Sequence, residues 1–250
     1  VTLLRDIDGF LARYLPPVTR RLLFLLVAIH LLLGILGLFR FGDSVRNLLT
    51  LSPKNVFADM QVWTLLTYGL LHANLGHLFM NGLGLFFFGG PVEDRLGPRR
   101  YLAMLLLAIV AAGLMHTFLH FGRGYPRLVG FSAANFAILM GCLIYVPNAI
   151  VHLNFLFPIR MKWLVVGYLV LEVFGLFGRG TMGVSHLAHV TGAVVGLAFI
   201  LGPRWRGGGP RGGGRRRGPV VRSRRLSMGH PGRSERASEL YDDPHWRLDQ

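Results

Sequence analysis

The chain has 250 residues, of which 52% are hydrophobic and only 16% charged, a balance poorer in charge than ordinary soluble domains carry. Its formal net charge of +15 would suit nucleic acid, but 12 of the 27 Lys and Arg residues follow Leu201. The basicity is therefore mainly a tail property, and the hydrophobic body reads as a membrane protein. The single cysteine, Cys142, excludes an intrachain disulfide and a thiolate-rich zinc site.

The first 21 residues carry Arg5, Asp6, Asp8, Pro16 and Pro17 ahead of any long apolar run. That is not the pattern of a cleaved signal peptide, and residues 1–21 are expected to be a cytoplasmic segment. A helix needs about 20 apolar residues to cross a bilayer, and six segments approach this: 22–39, 75–90, 101–119, 131–146, 163–177 and 184–201. The runs are continuous rather than alternating, which disfavours a β-barrel. The expected fold is all-α, a polytopic membrane bundle of six transmembrane helices over residues 22–201. Between the first two runs, Val62 to Tyr68 looks amphipathic. Trp63 and Tyr68 suit headgroup depth, and a loop packed on the bundle fits the same residues. Residues 202–250 open Gly-Pro-Arg-Trp-Arg-Gly-Gly-Gly-Pro-Arg and cannot bury a core. This basic tail is expected to be disordered, lying near anionic lipid rather than serving nucleic acid.

Six spans put both termini on one side, and the positive-inside rule chooses it. Arg5, Arg13, Arg20, Arg21, Arg95, Arg99, Arg100, Arg160 and Lys162 would face the cytoplasm, against Arg40, Arg46, Lys54, Arg123, Arg127 and Arg179 outside. The tail adds to the cytoplasmic count.

Polar residues inside spans are costly, so each is a functional candidate. Spans two, four and six all run inward from the outer face, and their polar residues sit near their starts. His72, His77 and Asn81 open span two, with His77 and Asn81 on one helical face. Gly130 and Ser132 open span four, placing a hydroxyl where free N–H groups favour a developing anion. Ser185, His186 and His189 open span six, followed by Gly192 and Gly196 at the spacing of a close helix–helix approach. A nucleophilic serine needs a base and oxyanion donors, and these helix ends could supply both. Other readings of the same residues are an interhelical hydrogen bond for Ser132, metal ligation by His116, His120, His186 and His189, and a transport path. No His-Glu-x-x-His helix supports the metal, and the clustering at one depth does not line a path across the membrane.

Gly130-Phe-Ser132-Ala, His77-x-x-x-Asn81, Ala188-His189-x-x-Gly192-x-x-x-Gly196 and the Glu93-Asp94-Arg95 segment together resemble the rhomboid intramembrane serine proteases. The resemblance implies Ser132 as nucleophile and His189 as general base in a Ser-His dyad. It further implies an oxyanion hole of His77, Asn81 and the Ser132 N–H, supported by His72 and Gly130. Phe136 is expected to stack on His189, and Gly192 and Gly196 to pack helices. No cofactor and no metal are implied; the partners would be transmembrane protein substrates and the lipid bilayer. The six-span layout and short N-terminus fit a bacterial cell membrane better than a mitochondrial inner membrane. The alternative is a catalytically inactive relative that binds transmembrane clients. Ala133 departs from the family's Gly-x-Ser-Gly. Glu172, the acid in span five, could orient a histidine, but its place near the outer end of its helix favours snorkelling or a structural pairing; Glu93 and Arg95 are expected to stabilise the inner loop.

Overall fold

The computed structural model describes residues 2–39, 41–122, 127–153, 157–177 and 186–202. The expectations placed on Arg40, Arg123, Arg179, Ser185 and the tail from residue 203 lie outside the described residues.

Every apolar run forms a helix. After α1 (Thr2–Leu11), Pro17 opens α2 (Pro17–Leu38) from the first helical turn, where its missing N–H costs nothing. Three short helices follow: α3 (Gly42–Leu49), α4 (Pro53–Phe57) and α5 (Thr64–Thr67), the last continuing into a 3-10 turn at Tyr68–Leu70. Asn74 then caps α6 (Leu75–Leu96), its side chain accepting the His77 N–H. Gly97 separates α6 from α7 (Pro98–Leu119). The remaining helices are α8 (Ser132–Tyr145), α9 (Met161–Phe177) and α10 (His186–Leu201). Helices α2, α6 and α7 are long and apolar enough to cross a membrane by length and composition, and α8 and α10 are shorter apolar helices.

Helix α8 is the centre of the bundle, with every residue from Ala133 to Cys142 buried and α6, α7, α9 and α10 packed around it. The core joins Leu85 and Val92 of α6, Met104 and Ala108 of α7, and Ile138 of α8. Outward-facing positions are apolar too: Leu31, Leu32, Ile35, Phe79, Leu107 and Phe174 are all exposed. Large apolar side chains over so much of the outer surface are what lipid requires and water penalises.

One feature departs from the sequence reading and a second decides between two readings left open. Residues between the fourth and fifth runs form an antiparallel hairpin, β1 (Ile150–Leu153) with β2 (Phe157–Arg160), in which Ile150 pairs with Arg160. The other concerns Trp63 and Tyr68. Trp63 is half exposed and its Nε1 donates to the Leu48 carbonyl at 2.8 Å. Tyr68 is buried, its hydroxyl donating to the Ile109 carbonyl of α7 at 2.8 Å. Of the two readings of this segment, packing on the bundle is the one found for Tyr68.

At the C-terminal end of α6, Glu93 caps a different helix. Its carboxylate accepts the Val18 N–H (2.9 Å), the Thr19 N–H (2.7 Å) and the Thr19 hydroxyl (2.8 Å). These N–H groups belong to the first turn of α2, which has no intrahelical acceptors for them, and the negative charge meets the positive end of the helix dipole. Glu93 thereby ties α2 to α6.

Candidate active site

Ser132 is the first residue of α8. Its own N–H and those of the next two residues precede the intrahelical ladder. The loop before it is fixed by Gly130, whose N–H donates to the Tyr68 carbonyl at 3.0 Å. Gly130 has φ +124°, a backbone conformation closed to ordinary L residues. A Cβ there would also fall 2.7 Å from Cε1 and Nε2 of His77 and 3.8 Å from Ser132 Oγ. The His77 ring and the Ser132 hydroxyl therefore flank one point in space.

Helix α10 brings His189 to the same end of α8. A Cβ on Gly192 would strike the Ala133 carbonyl, and one on Gly196 would lie 2.5 Å from the Ala137 Cα. Two bare positions thus let the α10 backbone lie directly on α8, immediately after Ser132. Phe136, one turn below Ser132, stacks on the His189 ring with centroids 4.6 Å apart and planes 15° from parallel. The methyl of Ala133, which departs from the family pattern, is buried.

Asn81 lies one turn after His77. Its Nδ2 donates to the His77 carbonyl at 3.1 Å, and its Oδ1 accepts from Asn135 Nδ2 at 3.0 Å. Asn135 also donates to the Asn81 main-chain carbonyl at 3.0 Å, so Asn135 of α8 holds both the backbone and the side-chain oxygen of Asn81. The sequence reading missed Asn135, although a polar residue within an apolar run carried the signal. His72 is buried and sits edge-on to His77, centroids 5.1 Å apart. Neither of its ring nitrogens finds a hydrogen-bond partner among the described residues. Burial first, and then His77 beside it, lowers the His72 pKa to about 4.

Glu172 of α9 is buried, and Oε2 of its carboxylate lies 2.6 Å from Nδ1 of His186 and 3.0 Å from Nδ1 of His189. Three apart, both histidines stand on one face of α10. These three residues form the one group of His, Cys, Asp or Glu among the described residues whose ligand atoms gather closely enough to share an ion. His116 and His120 are not in it; their rings pair with each other, centroids 4.4 Å apart. His30 is partly buried on α2.

The structure thus brings His72, His77, Asn81, Gly130, Ser132, Phe136 and His189 toward one end of the bundle, with Gly192 and Gly196 along the α8–α10 seam, and sets Asn135, His186 and Glu172 beside them. A hydroxyl, imidazoles and free helix-end N–H groups form a set able to run acyl transfer.

A family model described as a Rhomboid domain matches residues 59–204, more than half of the chain. Among curated proteins, the chain is similar to a Rhomboid protease GlpG of Photorhabdus laumondii subsp. laumondii, 26% identical over 204 residues, covering 77% of this chain and 63% of that protein. It is also similar to a Rhomboid protease GlpG of Yersinia pestis (strain Pestoides F), 26% identical over 198 residues, covering 74% of this chain and 62% of that protein. The match thus spans a little under two thirds of the length of these relatives.

Proposed function

The chain belongs to the rhomboid family, and from that premise we propose that it is an intramembrane serine endopeptidase that cleaves transmembrane protein substrates. Ser132 attacks the scissile carbonyl and His189 takes its proton. His77, Asn81 and the Ser132 N–H receive the oxyanion. The observation that carries this reading is the His189 ring, stacked on Phe136 one turn below Ser132, on a helix whose backbone touches α8 at Ala133. A base so placed serves a nucleophile at the start of α8.

Acylation requires the Ser132 Oγ–C bond to form as the hydroxyl proton moves to Nε2 of His189. That proton then passes to the leaving amide nitrogen as the C–N bond breaks, and water repeats the exchange in reverse roles to release the acid. His77 enters as an oxyanion donor because its ring borders the point that Ser132 Oγ also borders. Such donors stabilise charge that exists only in the transition state.

In the proposed topology α2, α6, α7, α8, α9 and α10 are the six spans of a membrane domain over residues 22–201, with both termini cytoplasmic in a bacterial cell membrane. The 14 residues of α8 extend roughly 21 Å, short of a hydrocarbon layer of about 30 Å. A central helix shorter than the membrane can start below the surface, and the proposal puts Ser132 there. Substrate reaches it from the lipid, and water from the outer face.

The test is cleavage of a single-span substrate in liposomes by wild type, Ser132→Ala and His189→Ala. Both variants should lose cleavage by about three orders of magnitude or more while still folding. Either variant cutting at the wild-type rate sinks the mechanism. A wild type that binds the substrate and never cuts it would point to a client-binding relative instead.

A further inference from the structure

The described residues include two buried carboxylates, Glu93 and Glu172. Glu93 is saturated by two main-chain N–H groups and a hydroxyl. Glu172 has a different company: Oε2 meets Nδ1 of His186 at 2.6 Å and Nδ1 of His189 at 3.0 Å. The His186 approach is aligned as a hydrogen bond, whereas at His189 the contact has ion-pair distance without hydrogen-bond alignment. Gly175, one turn further along α9, leaves space for this arrangement, since a Cβ there would lie 2.5 Å from the His186 ring. Helix α9 is thus seated on α10 around a buried charge, and such a charge is stable only when its partners remain.

The orientation bears directly on His189. Phe136 fixes the plane of the ring, and Glu172 lies at its Nδ1 edge. A carboxylate accepts and does not donate, so it favours the proton on Nδ1. The lone pair is then left on Nε2, the nitrogen a general base must use. When Nε2 takes the Ser132 proton, the imidazolium faces a fixed negative charge. In this role the carboxylate serves as an acceptor and a counter-charge, with no proton transferred to it.

We propose that Glu172 is the positioning carboxylate of His189, so that this site works as Ser132–His189–Glu172 rather than as a Ser-His pair alone. The proposal rests on the reading of His189 as general base. His186 is the carboxylate's anchor: its hydrogen bond holds Oε2 at the seam where His189 also reaches it. A glutamine in place of Glu172 can turn its NH2 toward Nδ1 and favour the wrong tautomer, whereas aspartate keeps the charge and shortens the reach.

The experiment measures kcat and KM separately for the full-length chain in liposomes, with wild type, Glu172→Gln and Glu172→Asp, alongside Ser132→Ala and His189→Ala. Thermal stability and the rate at which a fluorophosphonate labels Ser132 are read on the same samples. Glu172→Gln should lower kcat at least about tenfold with KM within about twofold and Tm nearly unchanged. Labelling should slow by the same factor, and Glu172→Asp should recover part of the loss. A Glu172→Gln enzyme with wild-type kcat and labelling overturns the proposal. So does a loss shared equally by Gln and Asp together with a fall in Tm, which would make Glu172 a helix clamp only. If Ser132→Ala or His189→Ala is active, the dyad itself has failed, a result distinct from either of these.

Discussion

Two glutamates at different ends of the bundle show how the same side chain serves two ends. Glu93 and His77 lie 16 residues apart on α6, roughly 24 Å along the helix. At the Glu93 end, three donors that cannot titrate fill the carboxylate and bind α2 to α6. At the His77 end, Glu172 faces two imidazoles, His72 has no hydrogen-bond partner among the described residues, and Ser132 opens a helix. Polar groups satisfied by main chain give structure. Polar groups left facing protonatable partners are ready for chemistry.

The contrast can be broken by exchanging its consequences. Glu93→Ala should cost roughly 3–5 kcal/mol of stability, because it orphans three donors, two of them buried, while the folded fraction cleaves near the wild-type rate. Intact stability with lost cleavage would erase the distinction. His77→Ala should do the opposite, lowering kcat about a hundredfold, close to 3 kcal/mol, with Tm little changed; a matching fall in Tm would count against its role as a donor. A smaller effect concerns pH. His72 has a pKa near 4 in the fold against an ordinary 6.5, so the unfolded chain takes up this proton first. Its contribution is complete above pH 6.5 and is lost as pH falls toward 4. Tm against pH should flatten over that interval in His72→Phe; an unchanged slope would show that His72 carries none of it.

Much of this was legible in the sequence, for identifiable reasons. Each apolar run became a helix because a continuous apolar stretch has no other way to satisfy its backbone in lipid. The ends moved where polar residues served a helix. Helix α6 continues past Gly90 to Leu96, carrying Glu93 and Arg95, because a carboxylate there caps α2. His77 with Asn81, and Phe136 relative to Ser132, were readable from helical spacing alone. The partnership of Glu172 with His186 and His189 was not: it joins two helices across 14 and 17 residues of chain, and periodicity says nothing of which faces meet. Asn135 could have been found by the rule that exposed Ser132, a polar residue in an apolar run. Tyr68 shows the opposite limit, since an aromatic with a hydroxyl suits a headgroup layer and an internal carbonyl equally. The hairpin from Ile150 to Arg160 is four residues on each strand, too short for alternation to announce it.

Gly130 is barred from change on two separate grounds, its φ of +124° and the 2.7 Å approach of the His77 ring to any Cβ. This has a consequence for heredity. In a genetic screen for second-site revertants of Gly130→Ala, shrinking His77 would relieve the collision, leave the backbone strained and remove the proposed oxyanion donor. The lesion should therefore revert only at its own codon, and lineages that keep Ser132 working have no neutral path through that position.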